Sequence, residues 1–206
     1  MKKLASFLLA VTLLTACSKK EADPQPTPAQ PAPAQAATIN MAFDFYPTAS
    51  SPASTQSLSL VPQKPAGELL SDRLVIKLEH ANAANFVGDQ VQFTLPLSRQ
   101  KSGLVGTYTL ASQPDASVGE VLVAYNRPVS ASANAYSNTY NSNNARLEGS
   151  LIISAYDAPR RLISGTYTVK AVNVKSPFLF LGYNSTSDPR RDGDLRLTGT
   201  FTELPL

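Results

Sequence analysis

Cysteine is almost absent from this sequence, since its 206 residues include only one, Cys17. A lone cysteine cannot close a disulfide within the chain, so an ordinary hydrophobic core must stabilise the fold. The start of the sequence also lacks an apolar run long enough to span a membrane. The run Leu4–Leu14 has 11 residues and follows the basic Lys2 and Lys3. Because about 20 residues are needed to span a bilayer, this run predicts a signal peptide over residues 1–16 and not a transmembrane helix.

The four residues Leu14–Cys17 have the form of a bacterial lipobox. In such a motif the cysteine thiol receives a diacylglyceryl group and the chain is cut before the cysteine, so Cys17 is predicted to be acylated. Two or three acyl chains, at about 0.8 kcal/mol for each buried methylene, anchor a protein firmly in the lipid bilayer. Ser18 is typical of sorting to the outer membrane, while Lys19–Glu21 leaves open which side of that membrane the domain faces.

Histidine is as scarce as cysteine, because His80 is the only one. A Ser-His-Asp triad would need His80, yet no Gly-x-Ser-x-Gly elbow accompanies it, and an acylated Cys17 is not a nucleophile. One histidine without a free cysteine also leaves a zinc site short of ligands. We therefore predict no catalytic residues, no metal site and no cofactor, and we expect His80 at the surface end of a strand. A hydrolase with two scattered carboxylates, such as Glu120 and Glu148, is the weakest alternative.

A large charge of one sign is lacking as well. The formal net charge is +3, and removal of Lys2 and Lys3 with the signal peptide leaves 16 basic residues against 15 acidic ones. No basic stripe is visible, so a nucleic-acid partner is not expected. The densest acidic stretch, Asp188–Asp194, contains two arginines and lacks the spacing of a calcium-binding loop. This composition favours a β-turn over a calcium site.

Proline is concentrated in one stretch that also contains much alanine and glutamine, from Ser18 to about Ala37. A segment with so little to bury stays extended, at about 3.1 Å per residue, and is predicted to be a disordered stalk. The expected organisation is a signal peptide over residues 1–16, an acylated cysteine and linker over residues 17–37, and a single β domain over residues 38–206.

From residue 38 onward, apolar and polar residues alternate with a period of two, as in Ile39–Phe45. No window of a dozen residues shows a helical stripe, and turn residues recur at short intervals. The pattern predicts an all-β domain of about 8–10 strands, arranged as an antiparallel β-sandwich or a partly open β-barrel. The clearest hairpin joins Leu147–Ala155 to Leu162–Val172 through a turn at Tyr156–Arg160.

One tetrapeptide occurs three times with little change, as Gly106–Thr109, Gly165–Thr168 and Gly199–Thr202. The copies are 59 and 34 residues apart, and this unequal spacing argues against a solenoid or propeller repeat. In a strand, the glycine and the aromatic residue share one face and the two threonines share the other. We expect the aromatic residue to fill the core, the glycine to leave room for a bulge or a large neighbour, and the threonines to face solvent. A threonine face that lines a ligand site is the alternative.

The segments Gly149–Ser154, Tyr156-Asp157 and Leu162–Ala171 form a glycine-led strand, an Asp-containing turn and a return strand with the letters ISGTY. Together with the upstream GTY strand, this region, residues 91 to 206, resembles a family of uncharacterised Bacteroidetes-type lipoproteins. The resemblance implies a small β domain under a lipid anchor, with no established activity and no catalytic residues to transfer. The chain departs from the family in its N-terminal part, where it lacks an Asp-Gly-Lys-Trp-like opening strand, and it contains no tryptophan.

An uncharged stretch, residues 130–144, is rich in serine, asparagine and tyrosine. A loop of this length in a small domain is usually either functional or disordered, and both alternatives stay open at this point. Tyrosine and asparagine side chains form adaptable surfaces that bind sugars or proteins. The ligand-binding candidates are therefore Tyr136, Asn138, Tyr140 and Asn141.

These observations predict a lipid-anchored protein of the bacterial cell envelope that has no enzymatic activity and acts by binding or by structural association. The alternative is a carbohydrate-binding surface lipoprotein that uses residues 130–144. The expected partners are the lipid bilayer, through acylated Cys17, and either a glycan or another envelope protein.

Overall fold

The alternating pattern of the sequence forms strands along most of the chain. The structure, a computed structural model, describes residues 36–80, 88–101, 103–128, 137–178 and 190–206. Twelve strands and one 3₁₀-helix lie within these ranges, which contain no α-helix. The prediction of an all-β fold is therefore confirmed.

In chain order the strands are β1 (Ala36–Ala37), β2 (Ile39–Phe45), β3 (Ser54–Leu60), β4 (Ala66–Leu69), β5 (Arg73–Glu79), β6 (Gln90–Pro96), β7 (Gly106–Thr109), β8 (Leu122–Pro128), β9 (Ser137–Asn141), β10 (Arg146–Asp157), β11 (Leu162–Lys175) and β12 (Asp192–Pro205). The 3₁₀-helix Leu97–Arg99 follows β6. The strands outnumber the eight to ten expected because β1 and β4, with two and four residues, are too short to show an alternation.

The strands form two antiparallel sheets that pack face to face. The seven-stranded sheet has the order β3-β2-β12-β11-β10-β7, with β1 also paired to β12, and the five-stranded sheet has the order β4-β5-β6-β8-β9. The core lies between the sheets, because the apolar residues of each alternating strand point inward. Phe93 of β6 and Tyr167 of β11 meet there with ring centroids 5.0 Å apart. The architecture is a β-sandwich, and the partly open barrel does not apply.

The three copies of the repeated tetrapeptide lie in β7, β11 and β12, and β10 separates the first copy from the second. The strand register aligns their positions in rows across the sheet. One row contains Gly106, Ile153, Gly165 and Phe201, and the next contains Tyr108, Leu151, Tyr167 and Gly199. In the pairing of β11 with β12, the glycine of each tetrapeptide copy therefore lies directly opposite the aromatic residue of the other copy.

These glycine–aromatic pairs explain why the tetrapeptide recurs. A methyl group on Gly165 would lie 2.5 Å from the ring of Phe201, and one on Gly199 would lie 2.5 Å from the Tyr167 hydroxyl. Both rings are buried, as is Tyr108 in the first copy, and all six threonines of the three copies are exposed. The expectation of a core-filling aromatic residue, a glycine that makes room for a large neighbour and a solvent-facing threonine pair is confirmed.

The predicted hairpin between residues 147 and 172 is present, with β10 and β11 paired from Arg146–Val172 to Asp157–Leu162. The β domain extends slightly further toward the N-terminus than expected, because Ala36 pairs with Thr202. All of the described residues belong to one compact unit.

The predicted signal peptide over residues 1–16, the predicted acylation site Cys17 and the predicted linker up to residue 35 lie outside the described residues. Within the described ranges, no helix is both long enough and apolar enough to cross a membrane.

Candidate functional site

The predicted ligand-binding stretch, residues 130–144, is not a continuous loop. Residues 137–141 form strand β9 at the edge of the five-stranded sheet, while Tyr136 lies outside the described residues. Tyr140 is only 7% exposed, its hydroxyl donates to the carbonyl oxygen of Lys175 at 2.6 Å, and its ring stacks on that of Tyr125. The expectation of an exposed Tyr140 is therefore wrong, because its ring belongs to the core.

The two asparagines of β9 make local structural contacts. Asn138 donates through Nδ2 to the carbonyl oxygen of Pro177 at 3.0 Å and accepts a bond from Arg190 at 2.6 Å. The side-chain oxygen of Asn141 accepts from the backbone N–H groups of Asn143 and Asn144, which closes the turn after β9. The loop interpretation missed this strand, although the alternation of the letters SNTYN and the asparagine-rich turn after them are features that could have indicated it.

The other residues considered for chemistry lie apart. His80 directly follows β5, is half-buried, and donates from Nδ1 to the carbonyl oxygen of Val61 at 2.9 Å. Glu120 accepts the backbone N–H of Thr109 at 2.7 Å, while Glu148 is exposed and pairs with Arg146 at 3.4 Å. Each carboxylate thus has its own structural partner.

The acidic stretch at residues 188–194 differs from the predicted turn. Asp188 and Pro189 lie outside the described residues, and Asp192–Asp194 belongs to β12. Asp192 pairs with Lys175 at 3.0 Å, and Asp194 pairs with Lys170 at 2.8 Å. In the described part of the chain, no three His, Cys, Asp or Glu side chains are grouped as a metal site would require.

The exposed side of the seven-stranded sheet, which we call the outer face, carries an unbroken row of small polar side chains. The register places one such residue on each of six neighbouring strands, from β7 at one edge to β3 at the other. The row contains Thr109, Ser150, Thr168, Thr198, Asn40 and Ser59. Two of its members are the second threonines of their tetrapeptide copies, so the scaffold repeat also builds part of this face.

A group of charged residues lies beside the polar row on the outer face. Asp194 accepts hydrogen bonds from Lys170 at 2.8 Å and from the Tyr46 hydroxyl at 2.5 Å. Asp44, directly opposite Asp194 in the register, accepts two bonds from Arg196, from Nε at 2.7 Å and from Nη2 at 2.9 Å. The two carboxylates are therefore held side by side, each by its own cation.

These contacts keep the charged group ionised at neutral pH. The hydrogen bonds from Arg196 lower the pKa of Asp44 below its usual value. Burial raises the pKa of Asp194, but the bonds from Lys170 and Tyr46 outweigh this effect, so the net change is also downward. The bond to Asp194 raises the pKa of Tyr46, so its hydroxyl keeps the proton that it donates. The face thus presents fixed acceptors and fixed donors together.

Two shallow grooves cross the outer face and share Arg196 and Thr198. The first has a volume of about 460 Å³ and lies between β12, β2 and β3, and the second has a volume of about 330 Å³ and lies between β10, β11 and β12. Small residues open both grooves, because Ala42 lines the first and Gly149, with a φ of 124°, lines the second without a side chain.

The outer face suits non-covalent binding of an extended polar ligand. It offers hydroxyl and amide groups that donate and accept, next to carboxylates and cations in fixed positions. The sequence predicts a threonine face as a candidate ligand site, but it does not single out Asp44, Lys170 or Arg196. Alternation alone indicates that these three side chains are exposed, but only the strand register shows that they are neighbours. Comparisons of the chain with protein-family models, with curated proteins and with solved structures find no match.

Proposed function

We propose that this chain is a lipid-anchored, non-enzymatic binding protein of the bacterial cell envelope, and that its ligand lies on the outer face of the seven-stranded sheet. The observation that carries the proposal is the polar row whose two grooves meet at Arg196 and Thr198. The anchor is acylated Cys17, supported by the lipobox Leu14–Cys17. A proline-rich stalk of about 20 residues would hold the domain away from the outer membrane by up to ~60 Å.

The ligand class that fits this face best is an oligosaccharide. Sugar hydroxyl groups donate and accept hydrogen bonds, and the face offers both kinds of partner at neighbouring positions. Arg196 and Asp44 are held together by two bonds, so their remaining donor and acceptor positions are oriented before a ligand arrives. Tyr46, at the rim of the charged group and 36% exposed, adds an aromatic surface. This site replaces the stretch around Tyr140 as the location of glycan binding.

Lipidation is tested in a bacterial host that is grown with a labelled fatty acid. The full chain is expected to incorporate the label and to fractionate with the outer membrane, because the thiol of Cys17 accepts the diacylglyceryl group. The variant Cys17→Ser is expected to lose the label entirely. Ser18→Ala is the matched control, since it changes the adjacent residue and keeps the thiol. Equal labelling of Cys17→Ser and the unchanged chain would contradict the anchor.

Ligand binding is tested by thermal unfolding of the full chain with a panel of envelope and plant oligosaccharides. A ligand at 100 times its dissociation constant is expected to add about 2.7 kcal/mol to the stability of the folded state. The variant Thr198→Ile removes a hydroxyl shared by both grooves and fills part of their space. We expect its affinity to fall about tenfold, which corresponds to about 1.4 kcal/mol.

The matched control for this measurement is Thr202→Ile. Thr202 lies on the same strand and the same exposed face, but it lines neither groove. Its ligand response is expected to equal that of the unchanged chain. An absence of any midpoint shift across the panel, or an equal loss of response in both variants, would contradict glycan binding at this face.

A further inference from the structure

Among the residues that the structure describes, strand β3 has a neighbour on one side only and is an open edge of the seven-stranded sheet. Its seven residues, Ser54–Leu60, pair with β2 without any register shift. The strand has no charged residue, proline or bulge, which are the devices that usually protect an exposed edge from pairing with another chain. Its first four residues and Ser59 are exposed, and Leu58 and Leu60 are half-buried.

The other terminal strands of the two sheets are covered or short. At β7, the Lys101 side chain donates to the carbonyl oxygen of Thr107 and packs against Gly106. At β9, the side chains of Asn138 and Tyr140 donate to the end of β11 and the residues after it, at the carbonyl oxygens of Pro177 and Lys175. At β4, which has four residues, the chain end at Leu206 packs against Gly67.

Both flanks of β3 are tied to the rest of the domain. Before the strand, the carbonyl oxygen of Pro52 accepts a bond from Arg191 at 2.9 Å. After it, the carbonyl oxygen of Val61 accepts from His80 at 2.9 Å, and the N–H of Gln63 donates to Glu79 at 3.0 Å. The edge is thus held extended before any partner arrives, which lowers the entropy cost of strand addition.

We propose that β3 pairs antiparallel with β3 of a second copy of this chain, about a two-fold axis at Ser57. This register is the one that pairs all seven residues of both strands. Ser57 then lies opposite Ser57, Thr55 opposite Ser59, Gln56 opposite Leu58, and Ser54 opposite Leu60. The two seven-stranded sheets become one continuous sheet, and the polar rows of the outer face continue from one copy into the other.

A second copy fits this edge because the strand is complementary to itself. No charge opposes a like charge in the pairing, and Ser–Ser and Thr–Ser pairs on the outer face favour antiparallel strands. On the inner face, the two Leu58 side chains become diagonal neighbours, and each covers part of the other's exposed surface. A single strand pair buries less than the ~1,200 Å² typical of stable complexes, so we expect a weak dimer.

The pairing is tested by disulfide crosslinking of the full chain, purified in a mild detergent and carrying Cys17→Ser. Ser57→Cys places one thiol directly opposite its symmetry mate, within reach of a disulfide. In the control Ser59→Cys, the two thiols lie four residues apart along the strands, about 13 Å. We expect crosslinked dimer to form under mild oxidation at least tenfold faster at position 57 than at position 59. Equal rates at the two positions would overturn the proposal.

A charge exchange provides an independent measurement that does not depend on thiols. Ser57→Lys and Ser57→Glu each place like charges at the two-fold axis, so each variant alone is expected to be monomeric by sedimentation at concentrations where the unchanged chain dimerises. An equimolar mixture of the two is expected to dimerise again. A mixture that stays monomeric would overturn the proposal, as would capture of a different extended segment by β3 with no crosslink between the two copies.

Discussion

Replacing Tyr167 with alanine is expected to lower the free energy of unfolding by about 3–5 kcal/mol. The side chain is 2% exposed and lies between the two sheets, with its ring against Phe93 and over the bare backbone of Gly199. Its hydroxyl donates to the carbonyl oxygen of Thr38 at 3.0 Å. Alanine would remove the ring from both sheets at once and leave a cavity that the glycine opposite cannot fill.

The measurement is urea unfolding followed by circular dichroism, with Tyr167→Phe and Thr166→Ala as controls. Tyr167→Phe keeps the ring and loses only the bond to Thr38, so we expect a loss of about 1 kcal/mol. Thr166→Ala changes the exposed neighbour on the same strand and is expected to cost less than Tyr167→Ala by a wide margin. If Tyr167→Ala cost no more than Tyr167→Phe, the ring would not be the element that holds the sheets together.

Breaking the ion pair between Asp89 and Arg127 is expected to have an effect of similar size. Arg127 donates to Asp89 at 2.7 Å, and the two side chains are 18% and 8% exposed. Asp89 also accepts a bond from the Tyr125 hydroxyl at 2.8 Å, and burial raises the pKa of that hydroxyl. Arg127→Met would leave a carboxylate in the core without its cation, so we expect a loss of about 3–5 kcal/mol.

Two further variants separate the lost charge pairing from lost packing. Adding Asp89→Asn to Arg127→Met removes the unpaired charge and keeps an acceptor for Tyr125, so we expect it to recover about half of the lost stability. Glu148→Gln removes a charge from the exposed pair with Arg146 and is expected to cost at most about 1 kcal/mol. A double variant less stable than Arg127→Met alone would show that the carboxylate charge is not the source of the loss.

Arg127 also begins a stack of side chains that connects the two sheets. Its guanidinium lies 5.0 Å from the ring of Phe178, which stacks on Phe45 at 6.3 Å, and the guanidinium of Arg191 lies 4.9 Å from the ring of Phe45. The stack joins β8 of one sheet to β2 of the other. The alternating pattern does not predict this stack, because three of its four members lie at or beyond strand ends. Phe45 is the last residue of β2, Phe178 follows β11, and Arg191 precedes β12.

The candidate site could be predicted only in part. Exposure of the threonines follows from the period of two, since glycine and the aromatic residue must share the buried face. The charged group cannot be predicted from this period, because Arg196 and Asp44 are 152 residues apart and meet only through the pairing of β12 with β2. The aromatic candidate Tyr140 was misplaced for a related reason. Its polar neighbours resembled a loop, while pairing with β8 and packing on Tyr125 draw its ring into the core.

Local chemistry by itself determined the all-β class, the main hairpin and the recurring glycine–threonine–aromatic–threonine strands. Each of these depends on residues that are close in sequence, where a two-residue period sets which side chains share a face. The tertiary structure decided the order of the strands, the choice of a sandwich and the neighbours of each side chain on the outer face. Those features depend on which strands pair and in which register, and a shift of one residue would turn every polar row toward the core.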